Sequence, residues 1–152
     1  DRTTRLSLEA SQVVGQFSWQ SELLAARVTR QGAPTVDFWG AYAYVSWFLT
    51  PDSRNYNYGS GDFEKIHVNS PVLAGGWGAF EIAARASTVD LTDQDILGGR
   101  ETNFSLGLNW YLNDQIRLMT NLVKVLDVDR PGSEFDDADP LIFSLRFQWV
   151  LR

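Results

Sequence analysis

Large apolar residues alternate with small or polar residues along most of this chain, in long runs with a period of two. From Leu141 to Leu151 every second residue is large and apolar, and Ser144, Arg146 and Gln148 lie between them. Strict alternation of this length is typical of a β-strand with one apolar and one polar face. The pattern recurs, and no helical period competes with it. The sequence therefore predicts an all-β protein with seven strands, near residues 3–14, 17–30, 36–49, 76–88, 102–112, 115–126 and 140–151.

The connectors between these strands differ in length. Residues 15–16 and 113–114 are short enough for tight turns, whereas residues 90–101 and 127–139 are predicted to be long acidic loops. Short turns at one end and longer loops at the other are typical of outer-membrane barrels. Residues 50–75 break this scheme, because they fall at the turn end and are nevertheless long. We expect this connector either to be functional or to contain a further strand.

The apolar face is predicted to contact lipid rather than a second sheet. Only 21% of the residues are charged, and the polar face carries mainly Ser, Asn, Gly, Gln and Tyr. The strands run to about 11–14 residues, which is longer than the usual 5–6 of globular sheets and suits a tilted crossing of a bilayer. Tryptophans fall near strand ends, where the aromatic girdles of membrane barrels lie; these are Trp39, Trp47, Trp77, Trp110 and Trp149.

Composition removes several classes of function. The chain has no cysteine and a single histidine, His67, which excludes disulfides, thiol catalysis, Cys-ligated zinc and a multi-histidine metal site. A formal net charge of −6 argues against a duplex nucleic-acid partner. Asp90, Asp93 and Asp95 have alternate spacing but not the full calcium-loop pattern, which favours a solvated loop over a metal site. Glycosidase chemistry would need two carboxylates close together, and nothing in the sequence places two of them so. We expect no enzyme activity, no cofactor and no metal.

Several segments, taken in order, resemble one known family. They are Phe38 to Thr50, Gly78 to Arg85, Thr102 to Leu112 with the following Ile116 to Met119, and Leu145 to Gln148. In order and spacing they are similar to strands of the phosphate-selective porins, the porin O and P family, and the resemblance covers most of residues 1–151.

The resemblance implies an outer-membrane pore with sixteen strands per subunit, usually trimeric, that passes anions such as phosphate. Basic residues on the lumen side guide the anion, and some loops fold inward to narrow the pore. Seven strands would then be the C-terminal part of the barrel. Two features depart from the family: the chain ends Trp149-Val150-Leu151-Arg152 without a terminal aromatic residue, and the main basic lumen cluster is not evident.

Six basic residues are candidates for the anion path. Four lie on the polar parity of their strands, that is, at the alternate positions whose side chains are mainly polar and would face the lumen of a barrel. These are Arg5, Arg85, Arg117 and Arg146. A planar guanidinium binds phosphate oxygens in pairs, although these arginines would instead be neutralised if they paired with Glu9, Glu22 and Glu81. Arg54 and Lys65 would line a constriction if the connector 50–75 folds into the lumen, and would be solvated charges if it does not.

Two other architectures remain open from the residues alone. Residues 62–68 would supply an eighth strand for a small closed barrel, a membrane anchor or adhesion module without conductance. A soluble β-sandwich would instead use its Trp and Tyr residues to bind a ligand or carbohydrate. A paired strand within residues 50–75 would favour the small closed barrel. Whether the first strand pairs with the last or both have open edges shows whether further strands are needed.

Overall fold

The computed structural model describes residues 1–57, 59–130 and 132–151. Within these residues the fold is built from β-strands and one short 3-10 helix at Val72–Ala74. No helix in the described part is long and apolar enough to cross a membrane. The strands are β1 Arg2–Val14, β2 Phe17–Thr29, β3 Val36–Phe48, β4 Tyr56–Asn57, β5 Asp62–Phe63, β6 Ala79–Asp93, β7 Ile96–Tyr111, β8 Ile116–Asp129 and β9 Leu141–Trp149.

Seven of these strands form one antiparallel sheet in the order β1-β2-β3-β6-β7-β8-β9. Every strand pairs with its sequence neighbour, apart from the insertion of β4 and β5 between β3 and β6. The all-β, antiparallel prediction is confirmed. Within the described residues β1 and β9 do not pair with each other, so each has a free edge.

The register keeps one apolar face continuous across the sheet. Leu106 of β7 is paired with Leu122 of β8, which is in turn paired with Phe143 of β9. Leu8 of β1 is paired with Leu23 of β2. These side chains are not buried by the rest of the structure, since 70% of Leu8 and 69% of Phe143 are exposed. A sheet face of this kind requires an apolar environment, as the alternation predicted.

The prediction of a long loop at residues 90–101 is wrong. β6 continues to Asp93 and β7 begins at Ile96, so a two-residue turn joins them. The acidic residues that suggested a loop are tolerated in a hairpin because arginines neutralise them: Arg100 Nε lies 3.2 Å from Asp90 Oδ2. The predicted loop at 127–139 is also shorter, because β8 extends to Asp129 and leaves residues 130–140 as the connector.

The long connector between β3 and β6 supplies no strand to the main sheet. β4 and β5 pair only through two residue pairs, Tyr56 with Phe63 and Asn57 with Asp62, and form a separate hairpin. The eighth-strand expectation for residues 62–68 is therefore wrong, since their backbone does not extend the sheet. A sandwich is not formed either, because the described strands make a single large sheet without a second one facing it.

The connector nevertheless packs firmly against the end of the sheet. Its Ile66 and Val68 are buried with Phe48 of β3, Ala79 of β6 and Tyr111 of β7. We call this end of the sheet, with residues 15–16, 49–57, 59–78 and 112–115, the turn rim. The opposite end, with residues 30–35, 94–95, 130 and 132–140 and the strand ends next to them, is the loop rim.

Candidate functional site

The polar face of the sheet carries the candidate residues. Register places Arg85 of β6 between Tyr44 of β3 and Ser105 of β7, and Arg117 of β8 between Tyr111 of β7 and Gln148 of β9. Because side chains alternate between the two faces of a strand, the arginines share this face with small or uncharged polar residues. Arg5 and Arg146 have the same parity, near the two edges of the sheet.

The most buried charge on this face is Glu81, which has no exposed surface. Arg54 donates from Nε to Glu81 Oε1 at 2.8 Å, and a terminal guanidinium nitrogen lies 2.7 Å from the same oxygen. The other carboxylate oxygen accepts hydrogen bonds from Asn109 Nδ2 and the Tyr111 hydroxyl, each at 2.8 Å. Arg54 also donates to the Tyr44 hydroxyl at 2.9 Å. Both carboxylate oxygens are thus satisfied, as burial of a charge requires.

This arrangement shows where the connector 50–75 lies. Tyr44, Glu81, Asn109 and Tyr111 come from three strands and project from the polar face, so Arg54 brings the start of the connector over that face. The guanidinium carbon lies 5.5 Å from the ring centroid of Phe63. The connector thus covers part of the polar face near the turn rim.

Further hydrogen bonds fix the path of the connector. Asp52, which is buried, accepts from the backbone N–H of Asn69 at 2.8 Å. Asp114, in the turn between β7 and β8, accepts from the N–H of Val68 at 2.8 Å and contacts His67 Nδ1 at 2.9 Å. His67 therefore has a structural partner in the neighbouring turn.

Arg117 is held in place by neutral groups. Two of its guanidinium nitrogens donate to Gln148 Oε1 at 3.0 and 2.8 Å, and its guanidinium carbon lies 5.6 Å from the centroid of the Tyr111 ring. Arg85 lies over the Tyr42 ring, with 4.5 Å between the guanidinium carbon and the centroid. Aromatic faces and amides orient these guanidinium groups but leave their charge uncompensated.

The four polar-face arginines do not form the ion pairs with lumen acids that the sequence left open. In the described part of the chain, no acid lies within ion-pair distance of Arg5, Arg85, Arg117 or Arg146. Glu81 is paired with Arg54 instead. Glu9 accepts a hydrogen bond from Gln20 at 2.6 Å.

Lys65 and Arg54 border the same opening. A cavity of about 330 Å³ at the turn rim is lined by Arg54, Lys65, Arg117, Glu64 and Asp114, among others. Lys65 is exposed there, and Arg54 is mostly buried against Glu81. Of the two connector residues, only Lys65 offers its charge freely to the opening.

The acidic residues at the loop rim are organised by arginines and backbone. Arg30 donates to Asp95 Oδ2 at 3.0 Å, Asp93 accepts from the N–H of Asp37 at 2.7 Å, and Asp90 pairs with Arg100. In the described residues no cluster of three or more potential metal ligands was found.

Sequence reasoning missed the role of Glu81 as the residue that neutralises Arg54. It also missed the hydroxyl and amide donors around the carboxylate. The available signal was an acidic residue on the polar parity of β6, close to the end that the long connector enters. Arg85 lies four residues along the same strand, which is too far for the two side chains to pair directly.

Comparisons with known proteins agree with this architecture. The family model for phosphate-selective porin O and P matches residues 1–151. Porin O of Pseudomonas aeruginosa is 27% identical over 154 residues, covering 94% of this chain and 34% of that protein. An uncharacterised protein of Caulobacter vibrioides is 34% identical over 116 residues, covering 75% of this chain and 23% of its own length. The chain thus spans about a third or less of these relatives.

Proposed function

Because this chain belongs to the phosphate-selective porin O and P family, we propose that its sheet forms part of the wall of an outer-membrane pore that passes anions. The family consists of channels, and we propose no catalytic role. The substrate class is inorganic anions such as phosphate, which diffuse passively through the lumen.

One observation carries the anion proposal. Arg85 and Arg117 lie on the polar face and contact neutral groups, and neither forms an ion pair with an acidic residue in the described part of the chain. A positive charge next to a low-dielectric wall attracts anions through a focused field. The net charge of −6 does not oppose this, because many of the acids lie at the loop rim, away from the centre of the polar face.

The free edges support the proposal that further strands complete the barrel. In lipid, each unpaired backbone group at an edge costs several kcal/mol, so β1 and β9 require partner strands. We propose that these strands belong to a sixteen-strand subunit and that three subunits assemble. Crosslinking of the full-length protein in membranes tests the trimer.

The anion proposal is tested by reconstituting the full-length protein in planar bilayers. A salt gradient across the bilayer gives a reversal potential whose sign reports anion or cation selectivity. We expect anion selectivity, and we expect Arg85→Gln and Arg117→Gln each to lower the anion preference. Arg27→Gln is the matched control, because Arg27 lies on the apolar parity and is paired with Asp37 at 2.7 Å. Cation selectivity, absence of conductance, or equal effects of all three substitutions would contradict the proposal.

A further inference from the structure

Aromatic residues of the apolar face are concentrated at the turn rim. The Trp110 and Phe80 rings are stacked there, with centroids 5.6 Å apart, and Trp47 packs edge-on against Phe17 at 6.4 Å. Only one of the six tryptophans, Trp39, lies near the loop rim. Tryptophan and other amphipathic aromatics concentrate at the boundary between hydrocarbon and water. This aromatic belt therefore marks one membrane boundary.

Residues 70–78, which we call the rim loop, are attached directly to this belt. The Trp110 indole N–H donates to the carbonyl of Trp77 at 2.8 Å, and the N–H of Val72 donates to the carbonyl of Leu112 at 2.9 Å. A Cβ on Gly78 would lie 2.3 Å from the Tyr111 carbonyl oxygen, and its φ is +75°, so the loop approaches the end of β7 as closely as a glycine allows. The rim loop is therefore fixed beside the belt.

The side chains of the rim loop are apolar and exposed. Leu73 is 86% exposed and Trp77 is 81% exposed. No charged residue occurs between residues 69 and 80. A solvent-facing loop normally carries polar or charged side chains, so an ordered, uncharged loop with an exposed Leu and Trp calls for an apolar partner.

We propose that the rim loop is a membrane anchor that inserts Leu73 and Trp77 into the headgroup and acyl boundary of the leaflet at the turn rim. Continuity with the aromatic belt favours lipid as the partner, because the loop lies next to Trp110, whose ring belongs to the lipid-facing side of the sheet. The indole of Trp77 suits this boundary, since it combines a large apolar ring with an N–H donor. The proposal rests on the placement of the sheet in a membrane.

Site-directed spin labelling tests the proposal, since this chain contains no cysteine. Leu73→Cys is labelled in the full-length protein, freed of any other cysteine and reconstituted in lipid vesicles. Collision rates with oxygen, which enters lipid, and with a water-soluble nickel chelate then report the depth of the label. Leu106→Cys, on the lipid face of β7, is the lipid reference, and Ser60→Cys, exposed between β4 and β5, is the water reference. Ala74→Cys, the exposed neighbour, replaces Leu73→Cys if that variant does not fold.

We expect the label at Leu73 to collide with oxygen several-fold more often, relative to nickel, than the label at Ser60. A ratio equal to that at Ser60, with Leu106 in lipid, overturns the anchor and leaves the barrel wall intact. A Leu106 label in water overturns both the anchor and the membrane placement on which it rests. A third result would identify a protein contact and overturn the lipid proposal. In that case the Leu73 label is shielded from both reagents, and its electron paramagnetic resonance spectrum is broadened by the label on a neighbouring copy.

Discussion

The buried pair of Arg54 and Glu81 gives the sharpest prediction about stability. Glu81 has no exposed surface, and the guanidinium nitrogen lies 2.7 Å from its carboxylate. Two charges about 4 Å apart attract each other by about 4 kcal/mol at an effective dielectric constant of about 20. Removal of one partner from such a pair costs about 3–5 kcal/mol, because the other charge stays buried without compensation. We therefore expect Arg54→Met and Glu81→Gln each to lower the free energy of unfolding by about 3 kcal/mol.

The double variant separates the pair from the rest of the cluster. With both charges gone, we expect a loss well below the sum of the two single losses, corresponding to a coupling of about 3 kcal/mol. The assay is reversible denaturant unfolding of the full-length protein in lipid or detergent, followed by tryptophan fluorescence. Strictly additive losses would refute the reasoning. The pair Arg27–Asp37 is the matched control, because its side chains are 65% and 53% exposed and solvent screens it, so its coupling is expected to be far smaller.

Two further predictions concern the lipid face and the loop rim. Leu106→Arg, on the lipid face of β7, is expected to destabilise the folded protein by about 2–4 kcal/mol in the same unfolding assay. Asn121→Arg, on the polar face of β8 between the uncharged Gly107 and Ser144, is expected to cost much less, and equal losses would contradict the assignment of faces. At the loop rim, the hydrogen-bonded Arg30 guanidinium holds the pKa of Asp95 below its usual value. The pKa of Asp95 is lower in the folded protein than in the unfolded chain, so the ionised carboxyl stabilises the fold. This stabilisation is fully present above about pH 4 and is lost as the pH falls through the folded-state pKa. NMR titration of the Asp95 carboxyl is expected to show a midpoint that rises in Arg30→Gln, and an unchanged midpoint would argue against the pair.

Alternation in the sequence was sufficient to predict the sheet, because a period of two reports directly which residues share a face. It did not predict how far a strand continues beyond the apolar zone. Residues 90–101 are acidic and contain Gly98 and Gly99, which suggests a loop, yet cross-strand partners such as Arg100 make the extended hairpin stable. Composition records the charges in such a segment but not whether they are paired.

The polar-face arginines were predicted from parity, whereas the partner of Arg54 was not. Arg54 and Glu81 are 27 positions apart and meet only because the connector folds back over the sheet. Long-range contacts of this kind leave no local periodicity. A connector with an arginine and a few buried apolar residues, such as Ile66 and Val68, gives too weak a pattern to predict where it packs.

The connector between β3 and β6 also bears on the order in which the sheet assembles. The turn between β1 and β2 contains two residues, whereas thirty, residues 49–78, separate β3 from β6. Since each doubling of loop length adds about 0.6 kcal/mol to the entropic cost of closure, pairing β3 with β6 costs about 2 kcal/mol more than closing the first hairpin. Refolding is therefore expected to form two meanders early, β1 to β3 and β6 to β9, which join late. The buried contact between Arg54 and Glu81 would then form only in that final step, so that its loss accelerates unfolding and leaves the rate of folding nearly unchanged.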